Sequence, residues 1–103
     1  MNLQNIGVIG AGTMGNGIAQ VCAQAGFKVT LIDIADSALQ KALATIDKNL
    51  ERQVSKETLT PAQKLATLDN IRTSTDYASL QGVQLVIEAA TENLDLKLRV
   101  LQL

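Results

Sequence analysis

The 103-residue sequence contains no histidine and no tryptophan. Without histidine it lacks the commonest general base near neutral pH and the commonest metal ligand. A tyrosine and a lysine four residues apart offer another route to proton abstraction, but Tyr77 is followed four positions later by Gln81. The chain therefore carries no evident group for taking the proton of an alcohol. Asp69, Asp76, Glu88 and Glu92 are too scattered to suggest a metal site, and none is expected. Aromatic residues are limited to Phe27 and Tyr77, and the net charge is -1 with no basic run. This leaves neither a base-stacking platform nor a phosphate-backbone footprint, so nucleic acid is not expected as a partner. The single cysteine, Cys22, cannot close an internal disulfide and reads as a small core residue of a helix. Long hydrophobic runs are missing too. The first apolar stretch is broken by Gly7, Gly10 and Gly12, and no positively charged leader precedes it. Neither a signal peptide nor a membrane helix is predicted, and a cytoplasmic location is the default expectation.

What is present is the composition of a soluble globular protein, 47% hydrophobic and 18% charged, of a size that allows one small domain over 1–103. Leu3 to Ile9 is a branched apolar run ending in glycines, as a buried parallel strand does before a tight turn. Met14, Ile18, Val21, Cys22 and Ala25 fall at helical spacing, and Gly26 stands where a left-handed residue commonly ends a helix. Lys28 to Ile32 reads as a second strand, completing a β-α-β unit with a right-handed crossover. Asp36 or Ser37 is placed to cap a long helix with the apolar stripe Leu39, Leu43, Ile46 and Leu50. Thr60-Pro61-Ala62-Gln63 combines a capping threonine, a proline at the first helical position and a glutamine three after the cap, so a second helix closes a helical hairpin. Ile71 to Ser74 and Val83 to Ile87 read as third and fourth strands, with a capped turn of helix from Asp76 to Leu80 between them. Leu94, Leu98 and Leu101 form a last helical stripe that reaches Leu103 without a capping glycine. The predicted fold is α/β, a Rossmann-type doubly wound parallel sheet, truncated, with the hairpin between strands two and three.

Gly10-Ala11-Gly12-Thr13-Met14-Gly15 matches G-x-G-x-x-G between the first strand and the first helix. In such a loop the first glycine makes the tight turn, the second lets backbone approach a pyrophosphate, and the third lets the helix pack close to the sheet. The free N–H groups and dipole at the helix start favour the phosphates without a lysine. Asp33 follows Gly15 by about the offset expected of an acid that hydrogen-bonds the adenosine ribose, and a carboxylate there repels a 2′-phosphate. NAD is therefore predicted over NADP. A flavin dinucleotide shares the turn and is the alternative cofactor; a bare turn beside a solvated strand-end acid is the non-functional reading. Glu88 and Glu92 flank the end of the fourth strand, where open parallel sheets place ligands. Spacing alone leaves Glu88 as a strand-end carboxylate, Glu92 open, and Lys56 and Lys97 as solvated lysines.

The stretch from Ile6 to Gln20, with Asp33 and Val86-Ile-Glu-Ala-Ala-Thr-Glu-Asn93, closely resembles the 3-hydroxyacyl-CoA dehydrogenases, and within them the shorter 3-hydroxybutyryl-CoA dehydrogenases. The likeness covers essentially the whole chain, the hairpin included. It implies NAD-dependent interconversion of a (3S)-3-hydroxyacyl-CoA and its 3-ketoacyl-CoA. It also implies that Gly10, Ala11, Gly12, Thr13, Met14 and Gly15 line the pyrophosphate and that Asp33 holds the ribose. Ala89 would pack beside the cofactor, with Glu92 and Lys97 by the nicotinamide half. Lys56 matches the family's CoA-contacting lysine, whereas Asn49 stands in place of the serine that accompanies it. The family's catalytic histidine-glutamate pair and its helical, dimer-forming second domain lie beyond Leu103, so the piece is expected to bind cofactor without turnover. Met1, just before the first strand, favours a stand-alone homodimeric parent, and the uncovered edges of a four-strand piece favour its self-association. Two other readings remain in view: a self-sufficient, non-catalytic NAD-binding module, and part of a related β-hydroxyacid dehydrogenase. The hairpin and the Glu-Ala-Ala-Thr-Glu-Asn segment argue against the latter.

Overall fold

The computed structural model describes residues 4–89 and 97–100. Strand β1 (Asn5–Ile9) leads through the glycine loop into α1 (Thr13–Gln24) and back to β2 (Lys28–Ile32). The hairpin of α2 (Asp36–Ser55) and α3 (Pro61–Asp69) precedes β3 (Ile71–Ser74), a 3-10 turn (Tyr77–Leu80) and β4 (Leu85–Glu88). A fifth strand, β5 (Lys97–Val100), completes a sheet of order β3-β2-β1-β4-β5, in which the first four strands are parallel and β5 is antiparallel. The chain steps outward from β1 to β3, then returns to the other side of β1. The strand order thus reverses between β1 and β4, and their carboxyl ends bracket the crevice where such sheets take ligands.

The core lies between the sheet and the helices. Strand residues two apart share a face, and Ile6, Val8, Val29 and Leu31 join Leu39, Ile46 and Leu50 of α2 in one buried cluster. Gly7 and Thr30 point the other way. A Cβ on Gly7 would overlap the Leu80 side chain, so the 3-10 turn covers that second face closely. The capping box expected at Thr60 is present: its side chain accepts from the Gln63 N–H and the Gln63 side chain accepts from the Thr60 N–H. Lys64 ties α3 to α2 through Glu51 at 2.6 Å and Asp47 at 3.1 Å.

Four expectations need correction. The buried face of α1 is Gly15, Asn16, Ala19, Gln20 and Ala23, whereas Val21 is 67% exposed and Met14, Ile18 and Cys22 are half-buried. Small residues at intervals of four let the helix sit close to the sheet, while Ile18 and Cys22 pack against the margin of the core and Val21 faces outward. The cap of α2 is Ala35, which offers no side-chain acceptor; Asp36 instead lies in the first turn, where its charge complements the helix dipole. β4 begins two residues later than the apolar run suggested. Finally, Lys97–Val100 is a strand and not part of a helix, its backbone pairing Leu85 with Val100 and Glu88 with Lys97. An unpaired strand edge exposes a row of N–H and C=O groups, and pairing at that edge outweighs a weak helical periodicity. The outer edge of β4 is thus covered, which four strands alone would leave open.

Candidate functional site

The glycine loop sits at the strand reversal. Gly10 has φ +102°, a left-handed conformation that favours glycine, and its N–H donates to the Ile32 carbonyl at 2.6 Å. Gly15 answers a different demand: a Cβ there would overlap the Gly10 carbonyl oxygen and stand 2.8 Å from its carbon. The absence of that Cβ is what lets α1 rest on the loop. Gly12 is exposed, and a Cβ on it would meet no described atom within 4 Å. Packing among the described residues therefore does not require glycine at 12. Open space above that residue is what a group approaching from outside would need.

At the amino terminus of α1, no side chain among the described residues caps the free N–H groups and no acid lies in the first turn. The free N–H groups and the positive end of the helix dipole there suit an anion. Thr13, the first helical residue, is exposed; Met14 is half-buried; Ala11 is buried. Asp33, just past β2, reaches the loop: its Oδ2 accepts from the Ala11 N–H at 2.9 Å and its Oδ1 from the Ala35 N–H at 2.9 Å. On the other side, the Ala89 N–H donates to the Ile9 carbonyl at 2.8 Å, which seats buried Ala89 next to the loop. The residues predicted around a dinucleotide from Gly10 to Gly15, Asp33 and Ala89 are therefore gathered at one end of the sheet. A dinucleotide fits what is there: an open approach at Gly12, an uncapped helix start and a carboxylate at the end of β2.

Other predicted positions are less tightly grouped. Lys97 starts β5 opposite Glu88, at the same end of the sheet by backbone register. Glu92 lies outside the described residues. Asn49 lines a cleft of about 550 Å³ between the glycine loop and α2, but its amide donates to the Gln20 Oε1 at 3.2 Å. It belongs to a row of amides in which Gln20 donates to Gln24 and Gln24 to Gln53, holding α1 against α2. Lys56 caps the far end of α2, exposed and outside that cleft. Lys41 and Thr45, which were not among the predicted site residues, share the cleft wall with Asn49. Their spacing of four along one helix was the available signal. Cys22 is half-buried, and burial pushes its thiol pKa up, away from the thiolate form that reactive cysteines use. A smaller depression at the opposite end of the strands is lined by Lys28, Asn70 and Arg72. There Lys28 donates to Asn70 and Arg72 to Thr30. Among the described residues no helix is long and apolar enough to cross a membrane, and no group of three or more potential metal ligands is assembled.

Parallel order 3-2-1-4, the glycine loop at the reversal and the acid after β2 define a Rossmann-type dinucleotide-binding domain. The chain matches the family described as 3-hydroxyacyl-CoA dehydrogenase, NAD binding domain, over residues 5–103, and it belongs to that family, whose cofactor is NAD. It is 44% identical over 98 residues to a 3-hydroxybutyryl-CoA dehydrogenase of Bradyrhizobium diazoefficiens, covering 95% of this chain and 33% of the relative. It is 42% identical over 97 residues to a 3-hydroxyadipyl-CoA dehydrogenase of Escherichia coli, covering 94% of this chain and 20% of that protein. The crystal structure of (S)-3-hydroxybutyryl-CoA dehydrogenase from Ralstonia eutropha superposes with a TM-score of 0.86 at 50% identity, covering 89% of this chain and 32% of that one. The chain thus spans about a third of the length of the 3-hydroxybutyryl-CoA dehydrogenases it matches.

Proposed function

We propose that this chain is the nucleotide-binding part of an oxidoreductase that interconverts (3S)-3-hydroxyacyl-CoA, specifically 3-hydroxybutyryl-CoA, with the corresponding 3-ketoacyl-CoA. The family match over residues 5–103 carries the reading, and the gathering of the glycine loop, Asp33 and Ala89 at the strand reversal supports it. Bound NAD supplies the hydride acceptor. The chain's own residues hold it: the loop from Gly10 to Gly15 lines the pyrophosphate, which meets the free N–H groups at the start of α1, while Asp33 accepts from the ribose hydroxyls and excludes a 2′-phosphate. Ala89 leaves room beside the cofactor, and Glu92 and Lys97 attend the nicotinamide half. Lys56 contributes a positive charge to the CoA moiety, and Asn49 contacts it on the adjoining stretch of α2. With no histidine in the sequence, the proton-transferring group lies elsewhere in a longer, homodimeric parent, and these 103 residues form one incomplete NAD-binding domain without turnover.

The purified chain, titrated calorimetrically with NADH and with NADPH at matched ionic strength, should bind NADH saturably and NADPH much more weakly. A folded chain that binds neither nucleotide would refute the nucleotide assignment. The same chain given NADH and a 3-ketoacyl-CoA should leave the NADH absorbance unchanged; measurable turnover would disprove its inactivity.

A further inference from the structure

The Asp33 carboxylate is shared between two backbone amides 24 positions apart, Ala11 and Ala35, at 2.9 Å each and one per oxygen. Gly10, the residue before Ala11, is already fastened to β2 through the Ile32 carbonyl. Two successive amides of the glycine loop are therefore tied to the second strand, one by backbone and one by the Asp33 side chain. Ala11 is 6% exposed, and a buried N–H without an acceptor is strongly unfavourable. Each carboxylate oxygen has a second lone pair, so the clamp and a ribose contact are compatible.

We propose that Asp33 is a positioning residue that holds the glycine loop in its nucleotide-accepting shape before any nucleotide arrives, in addition to selecting the nucleotide through the ribose. Two donors require two acceptor oxygens at fixed reach. Asparagine supplies one oxygen and turns an NH2 toward the other N–H, so it keeps one tie and breaks the other. Removing the acid to admit a 2′-phosphate accordingly loosens the loop for both nucleotides.

Backbone amide exchange, read by NMR on the nucleotide-free chain, tests the clamp directly. The Ala11 amide should be protected in the wild type, and in Asp33→Ala it should exchange about 10- to 100-fold faster, as expected for losing a hydrogen bond to a charged group. Amides of Val8 and Leu31 should keep their rates. In the near-isosteric Asp33→Asn, either Ala11 or Ala35 should speed up and the other should not. An Ala11 rate unchanged in Asp33→Ala, or both amides unchanged in Asp33→Asn, would overturn the proposal. A second arm rests on the nucleotide assignment made above: Asp33→Asn should bind NADH and NADPH each at least tenfold more weakly than the wild type binds NADH. If that variant binds NADPH as tightly as the wild type binds NADH, charge repulsion alone explains the selectivity and the clamp is refuted. The exchange arm involves no nucleotide, so its failure is distinguishable from failure of the NAD reading.

Discussion

Three glycines within six residues play three different physical parts, and alanine at each position separates them. Gly15→Ala places a Cβ against the Gly10 carbonyl, overlapping its oxygen and 2.8 Å from its carbon. The obstacle is backbone, which cannot rotate away, so α1 must lift from the loop. Overpacking of this kind costs about 1–3 kcal/mol, and an immovable neighbour puts the expectation near 3 kcal/mol. For a domain of this size each kcal/mol lowers the melting temperature by about 4–8 °C, so the fall should be roughly 12–24 °C. Gly17→Ala has open space around the new Cβ and removes a flexible residue from a helix interior. It should stabilise by about 0.5–1 kcal/mol. Gly12→Ala also meets no described atom within 4 Å and should cost less than about 1 kcal/mol, the loss of a tolerable cap residue. It should nevertheless weaken NADH binding at least tenfold, because its methyl group fills the approach to the pyrophosphate. Thermal unfolding by circular dichroism and calorimetric titration with NADH measure the two effects separately. A Gly15→Ala chain that melts like the wild type, or a Gly12→Ala chain destabilised as much as Gly15→Ala, would refute this division between fold and ligand.

Thr60→Ala removes the acceptor of the Gln63 N–H in the capping box and should destabilise the chain by about 1 kcal/mol in urea unfolding, with an unchanged slope. The Lys64 pKa is raised above the ordinary lysine range, first by its hydrogen bond to Glu51 and then by that to Asp47. A raised folded-state pKa means that the contribution is fully present below the unfolded-state value and disappears as pH climbs through the folded one. The melting temperature should therefore fall at strongly alkaline pH, and the fall should be smaller in Lys64→Met, measured by scans across that range in low salt.

Much of the local structure was legible in the sequence because it depends on neighbours along the chain. The strand-glycine-helix passage, β2 over Lys28–Ile32, the capping box at Thr60 and the long α2 follow from backbone sterics, cap chemistry and periodicity within short windows. So did the glycine loop and Asp33 as a candidate dinucleotide site, because the motif's spacing encodes a turn that the local backbone must make. What faces what was settled only by the tertiary structure. The apolar spacing of α1 picked out Met14, Ile18, Val21, Cys22 and Ala25, yet close packing on the sheet buried Gly15, Ala19 and Ala23, left Ile18 and Cys22 at the margin of the core and turned Val21 and Ala25 to the outside. Helical periodicity near the carboxyl end gave way to a strand at 97–100, because pairing at an exposed edge is a property of the assembled sheet. The same holds for Asn49, whose engagement with Gln20 depends on how two helices meet. It holds as well for the Asp33 bond to Ala11, between residues 22 positions apart that only the parallel pairing of β1 with β2 brings together.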